Sequence, residues 1–402
     1  MTERLLQLFP AFRFKNYRIF FGAQIISLIG TWMQMVSQGY LAYELTHSAL
    51  LVGVVAAAST LPSTIFALIG GAIVDKYPKK RILRIAGFIQ FILASTLGIL
   101  VIQGHANIYI LMVMTFLMGT VSAVDQPARI SLPNELVDRE HLHSAIALNM
   151  SMFNSARIVG PAIAGWLIYA FGVGWAFLLN GISFLFPFIA YNFMTWAPHI
   201  KKPHIGTWHA IKEGVNYAAH HPLIKYLVIY LGIISIFGWS YTTLLPVIAD
   251  RVFHQGAQGL GYLFSAAGGG SVLGALTMSA FGRRFNPKKI ILFGGILYSV
   301  MLIAFSLTLN FPLALVLLFL TGFGITAQNS TIQARIQHQV EDRFRGRVSS
   351  IQSLMLMGMH PVGSLQIGLI AEHFGSQIAV RLGGIVIFVA AILLFWRSPK
   401  HS

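Results

Sequence analysis

Twelve stretches of this chain run for about 18 residues or more with almost no charge, one after another from end to end. They fall at residues 17–40, 49–74, 82–103, 106–128, 144–170, 173–196, 223–249, 258–281, 289–309, 311–334, 348–371 and 376–396. As a helix rising ~1.5 Å per residue, each covers the ~30 Å of a bilayer's hydrocarbon. A segment in that solvent must satisfy its own backbone, which leaves a helix or a closed barrel. The runs show helical period and lack the ~10-residue alternation of a barrel strand. The predicted fold class is an all-α integral membrane protein with twelve transmembrane helices. Composition agrees, since 56 % of the 402 residues are hydrophobic and only 10 % charged, against about a quarter charged in a soluble domain.

The net charge of +16 would suggest nucleic acid in a soluble chain. Of the 28 Lys and Arg, however, 25 lie in the termini and in loops that follow even-numbered spans, including the central one. Arg251 and Arg381 lie on the other side, and Arg157 lies inside a span. The positive-inside rule puts both termini in the cytoplasm and accounts for the basic surplus without nucleic acid. The basic, aromatic "FRFKNYRIFF" runs straight into a full-length span and does not read as a cleavable signal. Zero cysteines exclude disulfides and thiolate metal sites. His141, His143, His204, His209, His220 and His221 lack metal-ligand spacing and read as surface residues. No phosphate-binding Walker pattern occurs. Neither a metal nor a cofactor is expected.

The two halves carry the same landmarks in the same order. "DKYPKKRIL" from Asp75 is similar to "RRFNPKKIIL" from Arg283, and "ARI" at 128–130 recurs at 334–336. "GPAIAGWLIYAFG" from Gly160 meets "GSLQIGLIAEHFG" from Gly363, sharing four anchors at an offset of 203. A slowly drifting offset over three matches is what a duplicated six-helix unit leaves after small deletions. Two parallel six-helix bundles follow, at 1–198 and 223–402. The linker at 199–222 carries "GTWHAIKEGVNYAAHH", whose Trp208, Ile211, Val215 and Ala218 at helical spacing predict an interfacial amphipathic helix. That is a secondary-transporter plan.

These residues also carry a family resemblance that spans the chain. "GAIVDKYPKKR" at 71–81 resembles the loop signature of the major facilitator superfamily: Gly71, Asp75, Lys76, Lys79 and Lys80 match, and Pro78 stands where the family usually has Gly. "RIVGPAIAG" resembles the superfamily's fifth-helix antiporter signature through Gly160, Pro161 and Gly165. "DQPARISLPNELV", "ALNMSMFNSARIVGPAIAG" and "EDRFRGRVSSIQS" are similar to the branch of enterobactin exporters and drug:proton antiporters. The resemblance implies a conformational latch in the loop signature. A carboxylate such as Asp75 can accept hydrogen bonds from amides that start another helix. The implied partner is the start of span eleven near Arg347–Ser349, and the contact would hold the outward-facing state. On the residues alone, Asp75 equally ends a helix before a solvated basic loop. Gly160, Pro161 and Gly165 permit a bend and a close helix approach, and also suit ordinary membrane packing.

Polar stripes mark four helices. Span one carries Gln24, Ser27, Thr31, Gln34 and Gln38; span four Thr115, Ser122, Asp125 and Arg129. Span seven carries Ser235, Trp239 and Thr242; span ten Thr321, Gln328, Thr331 and Arg335. The spacing is close to helical. The resemblance implies that these four helices surround a central substrate cavity, whereas uncharged stripes also serve as interhelical glue. His360, within span eleven, either meets ligand or protons or is a hydrogen-bonded packing residue.

Arg157 is the outlier. Thirteen residues of helix from position 144 place it about 20 Å deep, near the middle of the bilayer. A guanidinium stays charged there and requires an acid, a wet cavity or a ligand. Asp125 is the one deeper acid on a cavity helix. The backbone gap is ~13 Å, narrowed because side chains lean toward their helix amino termini and these helices run oppositely. A contact in one state of the cycle is expected, in which Arg157 and Asp125 serve coupling or simply join two helices.

The expectation is a non-enzymatic, monomeric exporter in a bacterial cytoplasmic membrane. It moves a small amphipathic molecule against protons by alternating access. Arg157 favours a siderophore or other metabolite over a lipophilic cation. Lysophospholipid transport, an uncoupled facilitator and a non-transporting receptor are the alternatives.

Overall fold

Apolar side chains alone do not stop a helix; caps and breakers set the ends. A computed structural model describes residues 7, 9–196, 207–341 and 344–397. The long helices are α1 Lys15–Thr46, α2 Ala49–Lys76, α3 Lys79–Ile102, α4 Ile108–Ser131, α5 Leu142–Phe171 and α6 Val173–Ala190. After a linker helix, Thr207–His220, come α7 Ile224–Arg251, α8 Gly256–Phe281, α9 Pro287–Leu307, α10 Phe311–Gln339, α11 Arg345–Phe374 and α12 Ser376–Arg397. Asn107, Asn286 and Asn310 cap α4, α9 and α10 by accepting from backbone amides of the first turn. Among the described residues there is no strand.

Eleven of these helices are long and apolar enough to cross a membrane. The twelfth is α5, thirty residues long, whose stretch from Leu142 to Arg157 carries His143, Asn149, Asn154 and Arg157. The fold is an all-α membrane bundle. Of the expected linker, residues 199–206 with His204 lie outside the described residues, as do the side chains of Trp208, His209 and Ile211.

The described residues form two compact units, one within Met1–Leu41 and Leu61–His204, the other within Ala42–Thr60 and Ile205–Ser402. In the first, α3 lies on α6, where Gly98 leaves its helix so close to α6 that an added Cβ would sit 2.7 Å from the Leu178 nitrogen. The basic end of this unit is sealed by Tyr17, Phe20, Val74, Leu83, Leu132, Leu148 and Tyr191. Tyr17 donates there to the Ala145 carbonyl at 2.9 Å. In the second unit α10 lies between α8 and α9, with Gly294 and Gly324 at the α9 crossing.

The duplication has a backbone signature. Gly172, after α5, and Gly375, after α11, both have φ 91°, a region that favours glycine. Each is the single residue between two helices. Gly160 in α5 backs onto α1, where an added Cβ would lie 2.8 Å from the Ile29 carbonyl oxygen. Gly363 in α11 backs onto α7 in the same way, 2.6 Å from the Ile236 oxygen.

The second unit departs from regularity in both partners of that pair. Residues Ile234–Trp239 of α7 and Leu354–Gly358 of α11 widen into π turns. In α11 the cause is Pro361, which lacks the amide that would reach back four residues. In α7 the Ser240 hydroxyl contacts the carbonyls of Ser235 and Ile236 at 3.0 and 2.9 Å. The two π turns meet, since Ser235 Oγ donates to the Leu356 carbonyl at 2.8 Å. Periodicity could not announce this, because the residues on either side keep an apolar helical pattern.

Candidate substrate path and gating contacts

In the first unit, Arg157 is half-buried on α5 and its guanidinium carbon lies 5.9 Å from the centre of the Trp32 ring on α1, within cation–π range. Asp125 on α4 pairs with Arg129 one turn further on, at 2.7 Å, with both side chains mostly buried. Tyr191, just beyond α6, feels the charge of the Asp125 carboxylate. Burial first, and then that carboxylate, push the Tyr191 hydroxyl above its ordinary range, while Arg129 partly offsets them.

The uncharged stripe residues divide by burial. Gln24, Ser27, Gln34, Gln38, Thr115, Ser235, Thr321 and Gln328 are buried, whereas Ser122, Trp239, Thr242, Thr331 and His360 are partly covered and Thr31 is exposed. Several have protein partners within their own unit. Gln34 Oε1 accepts from Asn180 on α6 at 2.6 Å, and Gln328 Oε1 accepts from the Tyr230 hydroxyl at 2.9 Å. Thr115, Thr321 and Thr331 donate to carbonyls of their own helices. Ser122 accepts from Gln90 on α3 at 3.0 Å. Gln24 and Gln328 each retain a buried amide nitrogen with no hydrogen-bond partner, at a cost that native proteins tolerate rarely. His360 Nδ1 lies 3.3 Å from Ser364 Oγ, which lies 3.2 Å from Thr243 on α7.

The loop signature divides as well. Lys79 is fixed, 2.8 Å from Glu135 and donating to the Ser131 carbonyl at 3.2 Å. Lys80 lies over Trp196 at 6.0 Å and Lys76 over Tyr77 at 5.5 Å. Asp75 is exposed at the end of α2. A Cβ at Gly71 would meet nothing within 4 Å, whereas at the preceding Gly70 it would run into the backbone of α4 at Ala123–Val124. Gly70 is the packing glycine that motif matching passed over.

The second unit holds contacts that no motif marked. Segment 42–60, the end of α1 and the start of α2, is part of this unit. Arg251, at the end of α7, donates through Nε to the Tyr43 hydroxyl at 2.7 Å and through its guanidinium to the His47 carbonyl. Glu372, near the end of α11, accepts from Ser48 Oγ and from the Leu50 amide, each at 3.1 Å. It thereby caps the amino terminus of α2. Beside it Gly53 and Gly368 cross so closely that a Cβ added to either would lie 3.2 Å from the other's Cα. On the basic side Glu213 of the linker helix pairs with Arg347 of α11, and Tyr217 stacks on Phe344 at 4.4 Å. Among the described residues no cluster of His, Asp and Glu has the makings of a metal site.

Set against known proteins, the sequence matches the family described as transmembrane secretion effector over residues 7–401. The chain belongs to that family of the major facilitator superfamily. Its members are transporters of small molecules and not enzymes. The staphyloferrin A transporter of Staphylococcus aureus is 25 % identical over 388 residues, covering 95 % of this chain and 96 % of that one. The enterobactin exporter EntS of Shigella boydii is 22 % identical over 400 residues, covering 97 % and 92 %. A bacterial homolog of the human lysosomal transporter Spinster, solved inward-facing and unoccupied, matches with a TM-score of 0.77 at 15 % identity, covering 95 % and 96 %. A peptide-transporter-family structure with 5-aminolevulinic acid matches at 0.79 and 11 %, covering 96 % of each chain. At such identities these structures establish the fold alone.

Proposed function

We propose that the chain is a proton-coupled exporter of a small amphipathic molecule, of the siderophore class handled by its relatives, working by alternating access as a monomer. It lies in a bacterial cytoplasmic membrane with both termini inside. The observation that carries this reading is Arg157 on α5, a permanent cation of a spanning helix set against the face of Trp32. A fixed cation there suits a ligand with anionic or hydrogen-bond-accepting groups, and the siderophore relatives point the same way.

Asp125 then has a coupling role. It pairs with Arg129, and exchanging that partner for Arg157 in another state is the step that links transport to the proton gradient. The exposed Asp75, with Gly71, Lys76, Lys79 and Lys80, forms the latch at the basic end, while Gly160 lets α5 lie close to α1 and Pro161 and Gly165 complete the fifth-helix motif. Release of segment 42–60 from Arg251 and Glu372 is the opposing step at the other end.

The test is purified protein in liposomes, with uptake of a catecholate siderophore, a lipophilic cation and a lysophospholipid followed with and without a pH gradient. Gradient-dependent flux of the siderophore alone supports the proposal. Gradient-independent flux, binding without flux, or transport of the lysophospholipid alone overturns it in favour of a facilitator, a receptor or a lipid carrier.

A further inference from the structure

An open groove of about 560 Å³ lies on the first unit between the start of α3 and the end of α6, lined by Pro78, Lys80, Arg81, Arg84, Ile85, Phe88, Ile89 and Phe188. Its composition is graded along α3. The three cations lie within the first two turns, and the apolar Ile85, Phe88 and Ile89 follow from there into the span. No residue lining it is acidic.

Two details make this more than a basic loop beside a greasy helix. The Arg84 guanidinium is drawn onto the Phe188 ring at 5.6 Å, and its Nε is buried without a hydrogen-bond acceptor. An unmet N–H is costly, and the guanidinium of Arg84, which is only partly covered, can turn to offer its N–H groups to an anion at the groove's mouth. The neighbouring start of α3 has Pro78 as its cap and no side chain accepting from its first amides. Those amides present the positive end of the helix dipole to the same point. Below, Ile85, Phe88 and Ile89 are exposed at a depth where the surrounding medium is hydrocarbon.

We propose that this groove binds one anionic phospholipid, its phosphate held by Lys80, Arg81 and Arg84 and an acyl chain laid along Ile85, Phe88, Ile89 and Phe188. A free phosphate would satisfy only the mouth. A zwitterionic lipid would bring a second cation to a site with three and no carboxylate to receive it. The bound lipid steadies the start of α3 and with it Lys79 and Lys80 of the loop signature, so the bilayer's anionic lipid content acts on the latch.

Native mass spectrometry of the full-length protein, titrated with phosphatidylglycerol and separately with phosphatidylcholine, reads the discrimination. Two interfacial cations at about a factor of five each make the R81Q/R84Q variant about 25-fold weaker for phosphatidylglycerol, with phosphatidylcholine unchanged. R81K/R84K keeps most of the affinity. The wild-type comparison needs no variant, and a photoreactive phosphatidylglycerol should label peptides covering residues 78–89 and 188. Equal retention of both lipids by wild type, labelling elsewhere, or displacement by equimolar glycerol phosphate each overturns the assignment, the last by showing that only the phosphate is read.

Discussion

Cutting Glu372 back to alanine removes both hydrogen bonds that pin the start of α2, to Ser48 Oγ and to the Leu50 amide, each 3.1 Å long. Each is worth about 0.5–1.5 kcal/mol net, and the carboxylate at a helix amino terminus adds about 0.3–1 kcal/mol. Glu372 is exposed, so the lower part of that range applies, about 1–2 kcal/mol in all. The open population of segment 42–60 then rises about five- to thirtyfold. The chain contains no cysteine, so a single thiol reports this directly. Ala49 is 1 % exposed, and an A49C thiol reacts with maleimide only when the segment lifts. Its labelling rate should increase in E372A by that factor, and in E372Q by about twofold, because the amide oxygen still accepts but the charge is gone. A thiol at Leu309, exposed in every case, supplies the baseline. Unchanged A49C rates in E372A and in R251M, with helical melting intact, would refute the clamp.

Replacing Arg157 with Lys keeps the charge and loses the guanidinium contact over Trp32, so the half-saturating substrate concentration should rise about two- to thirtyfold while gradient dependence survives. R157Q should abolish gradient-driven flux in the same liposome assay. Asp125→Asn should uncouple transport, leaving substrate exchange without proton movement; gradient-driven flux equal to wild type would remove Asp125 from the mechanism. Gly98→Ala forces a Cβ onto the α6 backbone and should lower stability by about 1–3 kcal/mol. Gly22→Ala, which meets nothing within 4 Å, should leave the melting temperature in detergent unmoved.

Much of this fold can be read from the sequence because the bilayer is a blunt filter: hydrophobic run length and the placement of Lys and Arg are local properties. Gly160–Gly172 and Gly363–Gly375 were legible as a repeat for a related reason, since the close approach at Gly160 and the φ of 91° at Gly172 recur in the copy. The polar stripes were harder. Helical spacing tells which residues share a face, not what that face meets. Gln34 and Gln328 turn out to be held by Asn180 and Tyr230, partners on other helices that no spacing links. The hold of Arg251 and Glu372 on segment 42–60 joins residues some 200 to 320 positions apart. The α3 groove was illegible because Lys80, Arg81 and Arg84 count in the sequence only as inside-loop charges. Their place opposite Phe188 comes from α3 lying on α6.

A single glycine separates α5 from α6, and another separates α11 from α12. Each joint adopts a backbone conformation that a side chain disfavours, and it is only one residue long, which leaves little chain between the two helices. Tilting the helix that carries Arg157 therefore bears on α6 through a single residue of chain. The far end of α6 carries Phe188, the floor of the α3 groove. The proposed ligand site on α5 and the proposed lipid groove on α3 thus share α6 as a neighbour, joined to α5 through one residue with no side chain.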